Sequence, residues 1–362
     1  MFLYENQEYV EDIERINQTA LPWTALLNKK LVVSGATGLL GSFLIDTLMT
    51  RNSQGLNCTI YALCRSKEKA MERFDKWADS DKLVFLERDV NAPIDDQGLE
   101  EIDFVMHLAS NTHPIQYATD PIGTITANII GLKNMLDFAV KHKTKRFLFA
   151  SSCEIYGENR GDTELFDESY CGYIDSNTLR AGYPESKRCG EALCQAYQTQ
   201  KGIEVVIPRF SRTYGPTMKL TDSKAISQFI KKGIARHDIV LKSSGMQFFS
   251  YTYVADAVYG LLTVMFKGET GKAYNIADSS SNITLKNLAK LIADFAGTNV
   301  IFEIPDSIEM KGYSKATKSL LSGERLQGIG WKPFYNVERG IQRTIRILSN
   351  DTINSRLSGN AE

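Results

Sequence analysis

Short apolar, β-branched runs alternate along the first two hundred residues with stretches whose apolar positions recur every three or four residues. The first run, 30–34 (Lys-Leu-Val-Val-Ser), is followed at once by glycines and then by helical spacing over 39–49. Further runs at 59–64, 83–86, 104–108, 146–151 and 204–208 predict strands. Helical patterns at 67–78, 121–141 and 184–200 lie between most of them, with Asp120 as an N-cap and Pro121 at the first helical position of the second. Continuous rather than alternating apolar runs mark strands covered on both faces. Strand–helix alternation therefore predicts an α/β fold, a Rossmann-like doubly wound parallel sheet. Residues 1–29 read as a helical extension broken at Leu21-Pro22-Trp23, with Trp23 and Leu26 packing on the body. After about residue 210 the pattern loosens, and helices are expected at 223–235, 285–295 and 337–348. The resulting division is an extension (1–29), an α/β domain (30–208, with return segments near 223–256), a smaller mixed α/β C-terminal domain (mainly 209–349) and a loose polar tail (350–362).

Composition narrows the classes. The 362 residues carry 42 Lys and Arg against 43 Asp and Glu, a net charge of −1. That balance argues against nucleic-acid binding, which needs a basic face. No apolar run approaches the roughly 18 residues of a membrane span, and 253–266 is interrupted by Asp256. Residues 1–14 are acidic and lack the basic-then-apolar order of a signal peptide. Cysteines at 58, 64, 153, 171, 189 and 194 show no metal-ligand spacing. They read as reduced thiols of a cytoplasmic protein.

The turn Gly35-Ala-Thr37-Gly38-Leu39-Leu40-Gly41 joins a predicted strand to a predicted helix. The first glycine permits the tight turn and the second lets a pyrophosphate approach the backbone. The third lets helix and sheet pack closely, while the helix N-terminus supplies N–H donors. Residues 30–208 are therefore expected to bind a dinucleotide and 209–349 a substrate. The second strand ends in Leu63-Cys64-Arg65-Ser66. An acid there would bond the 2′-hydroxyl of NAD, whereas Arg65 can pair with the 2′-phosphate of NADP. The cofactor expected is NADP, with NAD the alternative.

Tyr183-Pro-Glu-Ser-Lys187 places a phenol and an ammonium one helical turn apart on one face. The ammonium would lower the phenol's pKa and make it a general base for an alcohol. Upstream, Phe149-Ala-Ser-Ser152-Cys153-Glu154-Ile-Tyr-Gly157 ends a predicted strand at the carboxyl edge of the sheet. Doubly wound folds build their sites there. A hydroxyl from Ser152 and a carboxylate from Glu154 would join Tyr183 on one substrate.

Together these residues resemble the extended short-chain dehydrogenases/reductases that modify nucleotide sugars, over about 30–348. The pieces that match are Gly35/Gly38/Gly41, Asp89-Val90, His107-Leu-Ala-Ser110, Asn128 with Gly131, 151–157, Tyr183/Lys187, Tyr214-Gly-Pro216 and Tyr253-Val-Ala-Asp256. His107–Ser110, 120–136 and 168–183 look most like UDP-glucuronate decarboxylases, and Glu154 is shared in type with nucleotide-sugar 4,6-dehydratases. The resemblance implies cofactor contacts from Ser66, Asp89, Val90, Leu108, Ala109, Ser110 and Asn128 besides the glycine turn, Arg65, Tyr183 and Lys187. It implies substrate contacts from Asn111 and Arg180, no metal, and a homodimer. The implied chemistry is redox-neutral. Tyr183 takes the sugar 4-hydroxyl proton, Ser152 holds that hydroxyl, and a transient 4-keto group enables dehydration, decarboxylation or epimerisation with Glu154 as base or positioning group. Lys187 would bridge the nicotinamide ribose.

Four positions depart from the family pattern. Cys153 stands where dehydratases pair an aspartate with the glutamate. Lys318 is the nearest match to the decarboxylase arginine that contacts the sugar carboxylate. Arg212 replaces the usual asparagine after Arg209, and Phe249 replaces an arginine four residues before Tyr253. Arg212 is expected to take over the diphosphate contact, with Phe249 packing against the nucleotide or the core. Two rivals remain open: an NADPH-dependent reductase of a 4-keto nucleotide sugar, and a non-catalytic dinucleotide sensor.

Overall fold

A computed structural model describes residues 3–358 except 95, 97, 113, 220 and 304–316. The extension folds as α1 (Gln7–Asn17), capped by the Asn6 side chain, and a 3-10 turn at Trp23–Leu26. The α/β part of the chain then runs β1 (Lys30–Ser34), α2 (Leu39–Ser53), β2 (Thr59–Cys64), α3 (Lys67–Arg73), β3 (Leu83–Glu87) and β4 (Phe104–His107). It continues with α4 (Pro114–Thr119), α5 (Pro121–Lys141), β5 (Arg146–Phe149), β6 (Ser151–Ser152), α6 (Gly182–Lys201) and β7 (Glu204–Phe210). Beyond it come β8 (Arg212–Tyr214), α7 (Ala225–Ile234), β9 (Ile239–Leu241), β10 (Phe248–Tyr253), α8 (Val254–Lys267), β11 (Ala273–Ile276) and β12 (Asn282–Thr284). The remainder is α9 (Leu285–Ala296), β13 (Val300–Phe302), β14 (Lys318–Ser319), α10 (Glu324–Gly328) and α11 (Val337–Ser358).

The main sheet is parallel throughout, in the order β11-β7-β5-β4-β1-β2-β3, with β6 prolonging the β5 line beside β7. Its strands bury both faces. In β1, Leu31 and Val33 enter the core under α2 and α8, while Val32 enters the core under α5 and α6. The chain leaves β1 toward β2 and β3 and returns to β4. A crevice therefore opens at the carboxyl ends of β1 and β4, where ligands bind in such sheets. A smaller sheet pairs β10 with β8, β12 and β14, beside the parallel pair β9–β13 and the packed helices α7, α9 and α11.

The extension is stitched into both parts. Asp46 of α2, fully buried, accepts from Tyr9 Oη (2.5 Å), Arg73 Nη2 (2.7 Å) and Trp77 Nε1 (3.2 Å). Asp12 of α1 accepts from Tyr253 Oη at 2.6 Å and lies 2.8 Å from Arg343 Nε of α11. Trp23 and Leu26 are buried as expected.

Several boundaries differ from the sequence expectation. The helix over 67–78 ends at Arg73, and a 3-10 turn at Asp75–Trp77 carries Trp77 back to Asp46. The strand over 146–151 is interrupted at Ala150, whose carbonyl accepts a hydrogen bond from Lys187 Nζ. The return to the main sheet comes later than 223–256: α7 packs on α9 and α11, whereas α8 and β11 rejoin the sheet. The last helix continues to Ser358, past the point where a loose tail was expected, and 359–362 lie outside the described residues.

Candidate functional site

The glycine turn is shaped by close backbone approach. Gly35 has φ +68°, and a Cβ there would stand 2.7 Å from the Ala109 nitrogen; one at Gly41 would stand 2.3 Å from the Gly35 carbonyl oxygen. Gly38 is the N-cap of α2 and offers no capping side chain; its own N–H is donated to the Gly35 carbonyl (2.9 Å), while the first-turn amides of Leu39 and Leu40 keep their donors for an anion. Arg65 and Ser66 follow β2, Asp89 and Val90 follow β3, and Leu108, Ala109, Ser110 and Asn111 follow β4, in one row along the carboxyl edge. Behind the row, Ser34 Oγ bonds His107 Nδ1 (2.7 Å) and accepts from the Ala109 amide (3.3 Å). Burial, then the Lys187 charge, pushes His107 down to about 3, so it stays neutral. These residues fit a nicotinamide dinucleotide.

Asn128 of α5 is fully buried and sits behind this row. Its Oδ1 accepts from Ser110 Oγ (2.7 Å) and its Nδ2 donates to Ser186 Oγ (2.9 Å), which in turn donates to the Tyr183 carbonyl (2.8 Å). One asparagine thus ties the β4 loop to the helix carrying the phenol.

The expected catalytic residues come together where β5 and β6 meet α6. Ser152 Oγ accepts from the Glu154 amide at 3.2 Å, which turns the chain into a short 3-10 segment and aims Glu154 at the first turn of α6. Arg180 Nη2 donates to Glu154 Oε1 at 2.8 Å. Tyr183 is buried, and its phenol is pushed well up, first by burial and next by the Glu154 charge, with Ser152 and Arg180 opposing. Lys187, also buried, donates to the Ala150 carbonyl at 2.8 Å and lies over the Phe149 ring. Desolvation lowers its ammonium to about 7. The expected depression of Tyr183 by Lys187 is therefore outweighed in this arrangement by burial and by Glu154. Tyr117 of α4 escaped the sequence reading. Its ring stacks on Tyr183 with centroids 4.9 Å apart, and the Arg180 guanidinium lies 4.8 Å above it. Sixty-odd residues separate it from Tyr183, so no local spacing announces the contact.

Cys153 is buried, and burial raises its thiol above the usual range while the Arg212 charge opposes the rise. The Arg212 guanidinium lies 3.4 Å over the Phe249 ring, and Phe249 itself is buried in the core. Arg212 pairs with Tyr251 across β8 and β10, so Phe249, two residues earlier, shares its face of the small sheet. Among the described residues Arg212 has no acidic partner. Lys318 pairs with Phe248 instead, one residue out of phase, which puts it on the opposite face from Arg212.

Residues 31–277 match the family model described as the NAD dependent epimerase/dehydratase family. The chain is 31% identical over 320 residues to UDP-glucuronic acid decarboxylase 3 of Arabidopsis thaliana, covering 87% of each chain. Its fold is similar to that of a UDP-glucose 4-epimerase of Thermotoga maritima solved with UDP-glucose (TM-score 0.76, 21% identity, 90% of this chain and 99% of that one). It is equally similar to that of a dTDP-glucose 4,6-dehydratase of Streptomyces venezuelae solved with NAD (TM-score 0.76, 21% identity, 89% and 97%).

Proposed function

We propose, for a chain that belongs to the NAD-dependent epimerase/dehydratase family, a redox-neutral modification of a nucleotide-diphosphate sugar through a transient 4-keto intermediate. Of the outcomes open to that chemistry, decarboxylation of a nucleotide-linked uronate is the one we favour. The observation that carries this choice is the pair Cys153–Glu154. Dehydration needs an acid beside the glutamate, and the neighbour is a buried thiol held protonated above its ordinary range, a poor proton donor. Epimerisation alone needs no carboxylate there, yet Glu154 is present and oriented by Arg180. The likeness to UDP-glucuronic acid decarboxylases points the same way.

A bound nicotinamide dinucleotide supplies a reversible hydride acceptor. Ser152 orients the sugar 4-hydroxyl, and Tyr183 accepts its proton and later returns it. Lys187, poised near neutrality, offers a positive charge that favours the phenolate. Once the 4-keto group exists, the bond to the neighbouring carboxylate weakens, and Glu154 positions the group that leaves. Arg212, lying on Phe249, pairs with the substrate diphosphate. Arg65 at the end of β2 supports NADP as the cofactor. Ile122 and Ile125 on α5 remain exposed (75% and 38%), as do Ile115 and Leu179 nearby (each 61%). An apolar strip of this kind supports a homodimer through that face.

The test is to incubate the protein with a panel of nucleotide sugars, including UDP-glucuronate, without added reductant, and to weigh the products. Loss of carbon dioxide is expected. Loss of water, or an isomer of equal mass, replaces decarboxylation by the corresponding reaction. A product gaining two hydrogens only when NADPH is supplied overturns the redox-neutral reading in favour of a reductase, the alternative to which Arg65 lends weight.

A further inference from the structure

Residues 215–219 follow β8, beyond the α/β part of the chain, yet they dock on the glycine turn. Thr217 Oγ1 donates to the Leu39 carbonyl at 2.7 Å, and Met218 is buried in the core. Lys219 is next in the chain and meets the cations that follow β2. Ser66 caps α3 there by accepting from the Lys69 amide at 3.2 Å, which sets Arg65 before the helix and Lys69 in its first turn. Three cations from two segments share this corner, and among the described residues none of the three is ion-paired. The acid that favours the Lys219 charge, Asp222, lies 3.3 Å from Lys224. Partial shielding from water, then repulsion by Arg65 and Lys69, holds Lys219 below the ordinary lysine range. The Glu87 carboxylate at the end of β3 is turned onto the Lys67 amide (2.8 Å) and offsets the corner's positive charge only in part, so an anion bound among the three cations relieves their remaining repulsion.

The corner lies at the adenosine end of the crevice. Three strand spacings separate β2 from β5, about 14 Å at ~4.8 Å each, so the diphosphate of a sugar at Tyr183 is not its natural occupant. We propose that Lys219, carried across by the loop after β8, joins Arg65 and Lys69 in binding the 2′-phosphate of NADP. This rests on reading the cofactor as NADP and deepens it: preference for the phosphorylated dinucleotide is shared by two segments far apart in sequence. A phosphomonoester dianion between an arginine and two lysines gains charge-assisted bonds that the 2′-hydroxyl of NAD cannot form.

Calorimetric titration with NADP+, NAD+, adenosine 2′,5′-bisphosphate and 5′-ADP at fixed ionic strength tests this on the wild type, Arg65→Gln, Lys219→Gln and Lys219→Arg. Lys219→Gln is expected to weaken NADP+ and the bisphosphate roughly tenfold or more while leaving NAD+ and 5′-ADP within about twofold; Lys219→Arg should retain the preference. Equal weakening of all four ligands makes Lys219 a general loop or diphosphate contact and overturns the inference, as does no weakening. A wild type that binds NAD+ as tightly as NADP+ overturns the NADP reading itself. A preference that disappears in Arg65→Gln and survives in Lys219→Gln leaves that reading standing and removes only the part given to Lys219.

Discussion

Replacing Glu154 by glutamine keeps the side chain's shape and removes its charge, and the structure predicts opposite consequences for two stages of the reaction. The carboxylate, 2.8 Å from Arg180 Nη2, is the second cause, after burial, that holds the Tyr183 phenol up. A unit charge a few ångströms away at an effective dielectric of about 20 is worth a few kcal/mol. Both partners of the pair are about a quarter exposed (24% and 25%), and Arg180 already offsets part of the field, so about 1 kcal/mol is a fairer figure. Without Glu154, Arg180 acts on the phenol unopposed. Tyr183 then ionises more readily, and the rate of the first hydride transfer should reach its plateau at a pH lower by somewhat under one unit. The later steps, which need the carboxylate, should fall by about a hundredfold or more. Rapid mixing of the Glu154→Gln variant with the nucleotide uronate, followed by reduced-nicotinamide absorbance and mass spectrometry, separates the stages. Reduced cofactor should appear once per site and persist, with little product. Normal turnover would show that Glu154 is surface charge, and a plateau shifted to higher pH would refute the electrostatic argument.

Arg212→Ala should weaken binding of UDP by about 2 kcal/mol and leave dinucleotide affinity unchanged; unaltered UDP binding would mean that stacking on Phe249 is the whole of its role. Asp12 is pushed up to about 6 by burial, against 3.8 for the free carboxyl. The folded state therefore takes up its proton first, and this group's stabilisation is complete below about pH 4 and lost as pH rises through 6. Urea unfolding at several pH values should show wild type gaining on Asp12→Asn as pH falls from 7 to 4, by at most about 3 kcal/mol; a gap independent of pH contradicts it. Ile122→Glu combined with Ile125→Glu should convert a dimer to monomers by light scattering, and a wild type that is already monomeric ends that proposal.

Local information carried far in this chain. The helix over 121–141 is bounded as its Asp120 cap and Pro121 dictate, and the glycine turn, Ser152, Glu154, Tyr183 and Lys187 could be found by residue type and spacing. Such features are legible because capping, φ preference and apolar periodicity act between residues a few positions apart. Tertiary structure alone decided the rest. It stacked Tyr117 on Tyr183, drew Arg180 onto Glu154, laid Arg212 on Phe249 and brought Lys219 to Arg65. It also reversed the expected balance at Tyr183, because desolvation depends on how much chain surrounds a group, and no neighbour in sequence reports that. A chain's order specifies which chemistries are available; which charges share one low-dielectric space is set only when distant segments pack together.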